Sequence, residues 1–189
     1  IQEIKKLSEE NDIPLEINDR LIDKVAYKEN TFAVGVFEKY TCKVSDEGNH
    51  IVLVEPRNMG NVGTIIRSMV GFGFKDLVII GNGVDLFSPK VVSSTMGNFF
   101  KINFEYIDNF PVYSQRFSKY HMYPFTLGGG SDILKTDFRT PGALIFGNES
   151  KGLGDEYTEV GESVYIPHSQ DLESLNLSVA SSIGMWEFS

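Results

Sequence analysis

Asn61, Arg67, Glu149, Ser174 and Asn176 are the side chains whose types and spacing could do chemistry. An asparagine amide presents both a donor and an acceptor, so Asn61 and Asn176 can orient a polar group from either side. Arg67 falls among Ile65, Ile66, Met69 and Val70. A charge in an aliphatic stretch needs a reason, because burying it without a partner is costly. It either extends to solvent or to a carboxylate, or it faces a phosphate or ribose with its planar fork. Arginine stays protonated well above neutral pH and is a poor base, so orientation and charge stabilisation suit it better than proton removal. Glu149 can anchor its own loop or hydrogen-bond near a substrate. Ser174 can serve equally as a plain helix cap.

These residues have to be positioned by the elements around them. Residues 143–146 (ALIF) form a short apolar run that reads as a buried strand, followed by Gly147, Asn148, Glu149 and Ser150. In open α/β sheets the carboxyl ends of strands are where ligands sit. Residues 164–167 (VYIP) repeat the layout: a strand stopped by Pro167, then a polar loop from His168 to Glu173. Ser174, Leu175 and Asn176 open a final helix with Leu177, Ala180, Ile183 and Gly184 at helical spacing. Two adjacent strand ends and a helix N-terminus then make a cleft with exposed backbone groups. Gly147, Ile166 and Leu175 stand at its three loop ends. Taken singly they read as a turn glycine and two core residues. Asn61 and Arg67 are six residues apart and do not share a helical face. Asn61 is expected in the loop before a helix, with Arg67 inside it.

The run FGNESKGL, followed by IPHSQDLESLNLSVA, resembles the second and third motifs of the SpoU (TrmH) branch of the SPOUT RNA methyltransferases. Asn61-Val62-Gly63-Thr64-Ile65-Ile66-Arg67 is similar to the first. His168 and Ser150 depart from the residues common at those positions. The resemblance implies that S-adenosylmethionine binds at Gly147, Ile166 and Leu175, largely through main-chain groups and apolar contacts. It further implies methyl transfer to a ribose 2′-hydroxyl of rRNA or tRNA, with Arg67, Asn61, Glu149, Ser174 and Asn176 as the polar set. No metal is implied. Methyl transfer from a sulfonium needs mainly in-line alignment. The same resemblance implies a C-terminal trefoil knot from about Leu144 onward, and a homodimer that covers the apolar final helix at Val179, Ile183 and Trp186. Base methylation on the same fold stays open, as does a non-catalytic RNA-binding role. A Rossmann dinucleotide site does not fit, because RNMGNVG after the first strand is not G-x-G-x-x-G.

Composition bounds these readings. The chain has 189 residues, 41% of them hydrophobic, enough for one full domain and an appendage. The formal charge of −9 counts against a broad nucleic-acid-binding face, although local clusters matter more than the total. Cys42 is the sole cysteine, which fits a reducing cytoplasm. His50, His121 and His168 lack metal-ligand spacing, and no apolar run approaches the length of a membrane span.

Strands alternating with helices predict a mainly parallel sheet with helices on both faces over 50–189. Strands are expected at 50–55, 76–80, 103–106 and 121–125, and helices at 61–72, after Ser88-Pro89, and at 110–119. Residues 1–43 are expected to be part of a small α/β substrate-recognition domain, or an extension. There a helix over 1–11, a short strand at 13–16, a helix capped by Asn18 and a strand at 31–37 are anticipated. The polar stretch 41–50, with DEGN as its turn signal, reads as the linker.

Overall fold

The runs HIVLV, DLVII and GALIF are almost wholly apolar, and strands of that composition are stable only where both faces are covered. The computed structural model describes residues 1–26 and 29–189. It contains two compact units, Ile1–Lys39 and Tyr40–Ser189.

In the larger unit the three runs are β1 (His50–Val54), β2 (Asp76–Ile80) and β6 (Gly142–Phe146), each almost entirely buried. With β3 (Asn103–Ile107) and β4 (His121–Pro124) they form a five-stranded sheet in the order β3-β2-β1-β6-β4. Every pairing in it is parallel. Helices α3 (Met59–Gly71), α4 (Pro89–Ser94) and α6 (Leu177–Phe188) share one core with one face of the sheet, around Ile65, Ile66, Leu53, Leu144 and Phe146. On the other face α5 (Phe110–Arg116) and a turn at Asp155–Tyr157 pack against Val52, Val78 and Ile145. This is the expected α/β architecture with helices on both faces. Gly63 lets α3 and α4 meet: a Cβ there would lie 2.4 Å from the Ser94 side chain and 2.9 Å from the Val91 carbonyl.

Four local expectations are corrected. The helix after β1 starts at Met59, because the Asn58 side chain caps it by accepting from the Gly60 and Asn61 N–H groups. Asn61 therefore sits in the first helical turn and not in the preceding loop. The segment 164–166 is a strand only at β7 (Val164–Tyr165). It pairs with the two-residue β5 (Ser131–Asp132) in a separate sheet, not beside β6. Asn176, not Ser174, caps α6, accepting from the Ser178 N–H at 2.9 Å. Residues 40–49 are also more than a connector. The Cys42 thiol bonds to both the N–H and carbonyl of Phe104 on the outer edge of β3, and Val44 is buried. A paired edge is protected from other strands.

In the smaller unit α1 (Gln2–Glu10) and α2 (Asp19–Val25) form as expected. Asn18 caps α2 through a bond from the Leu21 N–H at 3.1 Å. The anticipated strands at 13–16 and 31–37 are absent. Apolar alternation needs a neighbouring ladder to become a strand, and here Ile13, Phe32 and Val36 remain exposed.

His50 opens β1 fully buried. Its Nε2 lies 2.7 Å from the Ser45 carbonyl, which can only accept, so Nε2 carries the proton and Nδ1 accepts from the Tyr113 hydroxyl at 2.9 Å. Burial lowers its pKa from the ordinary 6.5, against the opposing pull of the Ser45 carbonyl and Asp76. The unfolded chain thus takes up this proton first as pH falls. Stability should be intact above about pH 6.5 and decline as pH drops below it, through the lowered folded value. Denaturant midpoints at about pH 5 and about pH 8 check this, with His50→Gln less stable at neutral pH but flatter in its pH dependence. A wild-type midpoint independent of pH across that window would refute it.

Candidate active site

The carboxyl ends of β1 and β6 are neighbours in the sheet, so the loops that follow them meet. Glu55, which follows β1, adopts a left-handed φ of 46°. Its carbonyl accepts from the Asn148 side chain at 2.7 Å. The chain then passes through buried Pro56 to Arg57 and Asn58. Glu149, in the loop after β6, receives both: Oε2 accepts from the Arg57 N–H and Oε1 from the Asn58 N–H, each at 3.0 Å. The Asn61 side chain donates to the same carboxylate at 3.3 Å, and the Asn176 side chain donates to the Asn61 side-chain oxygen Oδ1 at 3.2 Å. Asn176, Asn61 and Glu149 thus form one directed hydrogen-bond chain across segments far apart in sequence. Partial burial pushes the Glu149 carboxyl up, but the N–H donors of Arg57, Glu149 itself and Asn58, with the Asn61 amide, outweigh that and hold it below its ordinary value. It is ionised at neutral pH, and its oxygens are committed to positioning.

Below this chain lies a cleft of about 1060 Å³. Its walls include Phe125, Thr126, Leu127, Gly147, Ile166, His168, Ser174 and Leu175, with Asn61, Glu149 and Asn176 at its polar edge. Gly147, Ile166 and Leu175 are brought together as anticipated. The cleft is at the upper end of the range for ligand pockets, large enough for one ligand with room for part of another. Apolar Leu127, Ile166 and Leu175 beside main-chain groups suit a flat heterocycle with a hydrogen-bonding edge. The His168 Nδ1 donates to the Ile166 carbonyl at 2.7 Å, which fixes the ring in the wall.

Gly147 is required by its own chain: a Cβ there would lie 2.1 to 2.3 Å from backbone atoms of Gly152 and Leu153. The 147–153 loop folds back on itself through mutual N–H···O bonds between Asn148 and Gly152. Gly147→Ala should therefore cost about 1–3 kcal/mol through overpacking, or roughly 2–4 °C in Tm per kcal/mol. Thermal unfolding measures it, and an unchanged Tm would refute the steric argument. Arg67 does not line the cleft. It is exposed on α3 and makes no ion pair among the described residues, so the cost of a buried charge never arises. Ser174 lines the cleft but is exposed and caps nothing.

Sequence reasoning missed Arg57, Asn58, the bond from Asn148 to Glu55 and the 125–127 wall. Asn58 was legible, because an asparagine immediately before the first apolar residue of a helix, here Met59, is a cap signal. The others depend on which loops meet.

The sequence profile of the SpoU rRNA Methylase family matches residues 48–186. The chain belongs to the SpoU rRNA methylase family. An uncharacterised tRNA/rRNA methyltransferase of Synechocystis is 29% identical over 140 residues, covering 72% of this chain and 51% of that protein. A 23S rRNA uridine 2′-O-methyltransferase of Streptomyces viridochromogenes is 27% identical over 145 residues, covering 72% of this chain and 50% of that one. The chain thus spans about half the length of the curated relatives it matches. The crystal structure of an AdoMet-bound rRNA methyltransferase from Sinorhizobium meliloti superposes with a TM-score of 0.83 at 31% identity, covering 92% of this chain and 70% of that one. No helix among the described residues is long and apolar enough to cross a membrane, and no three His, Cys, Asp or Glu residues among them gather as a metal site.

Proposed function

We propose that the protein methylates RNA on a ribose 2′-hydroxyl, using S-adenosylmethionine held in the cleft by Gly147, Ile166 and Leu175. The observation that carries this reading is the hydrogen-bond chain Asn176–Asn61–Glu149, which joins all three sequence motifs at the edge of one ligand-sized cleft. The names of the relatives, rRNA and tRNA methyltransferases, support the same activity. S-adenosylmethionine supplies an activated methyl group there. Asn61 and Asn176 then orient the ribose edge. Glu149 fixes the 57–58 loop, and Arg67 stabilises charge developing on the 2′-oxygen. Ser174 offers a hydroxyl at the same rim. Titration calorimetry with the demethylated product should show binding, and nucleoside mass spectrometry of ribosomal and transfer RNA, with and without the gene, should show one 2′-O-methyl nucleoside lost. A missing base methylation in its place would overturn the ribose assignment.

The active unit in this proposal is a homodimer. The final helix exposes Val179 and Trp186, the latter 61% accessible, while Ile183, expected at the same interface, packs against the core of its own chain. Arg67 lies one residue from Ser68, whose hydroxyl accepts from Ser182 of α6 at 2.8 Å. A two-fold interface on α6 would cover the apolar residues and carry Arg67 to a cleft across the interface. Monomer alone in light scattering at micromolar concentration would count against it.

A C-terminal knot, an N-terminal substrate-recognition role for residues 1–43 with the catalytic domain over 50–189, and a cytoplasmic location belong to the same proposal. For the knot, the support is that residues 162–164 lie against β4 and the loop after it, through the Glu162 N–H to Met122 and the Val164 and Ser163 carbonyls to Thr126 and Ser131, before the chain returns to α3 as α6.

A further inference from the structure

An acidic protein that handles RNA cannot rely on a broad basic surface. It has to hold the backbone at a few placed cations. Among the residues lining the cleft, Arg57 and Lys151 are the lysine and arginine side chains, and both are exposed. Each stands on a rigid support. Arg57 follows the left-handed Glu55 and buried Pro56, and its own N–H is held by Glu149 at 3.0 Å. The Lys151 N–H is held by the Asn148 side chain at 3.3 Å, and that side chain in turn grips the Glu55 carbonyl. The two cations therefore project from loops that are laced together.

Neither cation is held tightly by a carboxylate among the described residues. The Arg57 guanidinium has one ion pair, to Glu55 at 3.6 Å, with both partners largely exposed. That is beyond hydrogen-bond distance and yields easily to a phosphate. Lys151 has no ion pair among the described residues. Of the carboxylates lining the cleft, Glu149 is compensated by its N–H donors, while Asp155 and Glu173 add negative charge to the lining. Arg57 and Lys151 are thus the places on the cleft lining where an anionic backbone meets positive charge.

We propose that Arg57 and Lys151 form a phosphate clamp at the mouth of the cleft, gripping RNA backbone phosphates beside the nucleotide to be methylated. This rests on the RNA-methylating reading above. Arginine supplies a planar fork for one phosphate and lysine a point charge for the next.

The test measures KM for RNA against salt concentration, with protein-free ribosomal RNA and bulk transfer RNA as separate probes, for wild type, Arg57→Gln, Lys151→Gln, the double variant and Arg57→Lys. A phosphate contact on single-stranded RNA contributes about 0.7 to the log–log salt slope, so the double variant should lose about 1.4 of slope and raise KM roughly 10–30-fold near 0.1 M salt. Its kcat, Tm and affinity for the demethylated cofactor should stay at wild-type values, and Arg57→Lys should keep the wild-type slope. A double variant with the wild-type slope overturns the clamp, as does one whose cofactor affinity falls in step with RNA affinity. Wild type that transfers methyl to neither RNA overturns the RNA reading and the clamp with it. Wild type that is active beside an unchanged slope overturns the clamp alone.

Discussion

Arg67→Ala should leave the protein folded and reduce methyl transfer by about 10²–10³-fold, the usual loss when an oriented charge is removed from a reacting centre. Arg67 is exposed on α3 and contacts no carboxylate among the described residues, so the stability change should stay within about 0.5 kcal/mol. Cofactor affinity should not move, because Arg67 is not part of the cleft wall. Arg67→Lys should recover little, since one ammonium cannot reproduce the planar fork. A mixing experiment locates the residue. Co-refolded Arg67→Ala and Glu149→Gln chains should be more active than either alone if Arg67 serves a cleft across the interface. Full transfer by Arg67→Ala on its own would mean that this arginine is only a surface residue.

Glu149→Gln should have the opposite signature, with stability and activity falling together. The carboxylate accepts from two backbone N–H groups and one amide. Glutamine offers one carbonyl and turns an NH₂ group toward a donor. Charge-assisted hydrogen bonds are each worth about 1.5–3 kcal/mol, so the variant should unfold at least that much more easily. Transfer should drop about 100-fold as the 57–58 loop and Asn61 lose their anchor. Glu149→Asp should fare little better, being one methylene too short to reach both N–H groups. Denaturant unfolding and single-turnover transfer on the same preparations decide it. A variant with wild-type stability and rate would show that the hydrogen-bond chain is incidental.

The sequence showed the buried strands because strands covered on both faces have no polar positions to interrupt them, as DLVII and GALIF illustrate. It also showed which loops carry polar groups. It could not show that Glu149 reaches Arg57 and Asn58, 92 and 91 residues away, because a carboxylate's partners are set by strand order. Nor could VYIP announce that β7 pairs outside the main sheet, since a short apolar run records burial and not its neighbour. The reading of 31–37 as a strand failed for the same reason in reverse: alternation without a ladder left Phe32 and Val36 in solvent. Nor could the sequence show that backbone of Gly152 and Leu153, in its own loop, also requires a glycine at position 147.

The place of β6 in the sheet has a consequence for how the chain is made. It lies between β1 and β4, both synthesised before it. During translation β4 has no partner in the sheet until Gly142–Phe146 emerges, and β1 keeps one edge open for the same interval. Open strand edges in incomplete chains invite aggregation, and pairings between distant segments form slowly. Nascent chains arrested before residue 142 should remain protease-sensitive, and those carrying β6 and α6 should become resistant. Protection of the shorter chains would show that β1, β2 and β3 fold on the ribosome without waiting for the strand that completes them.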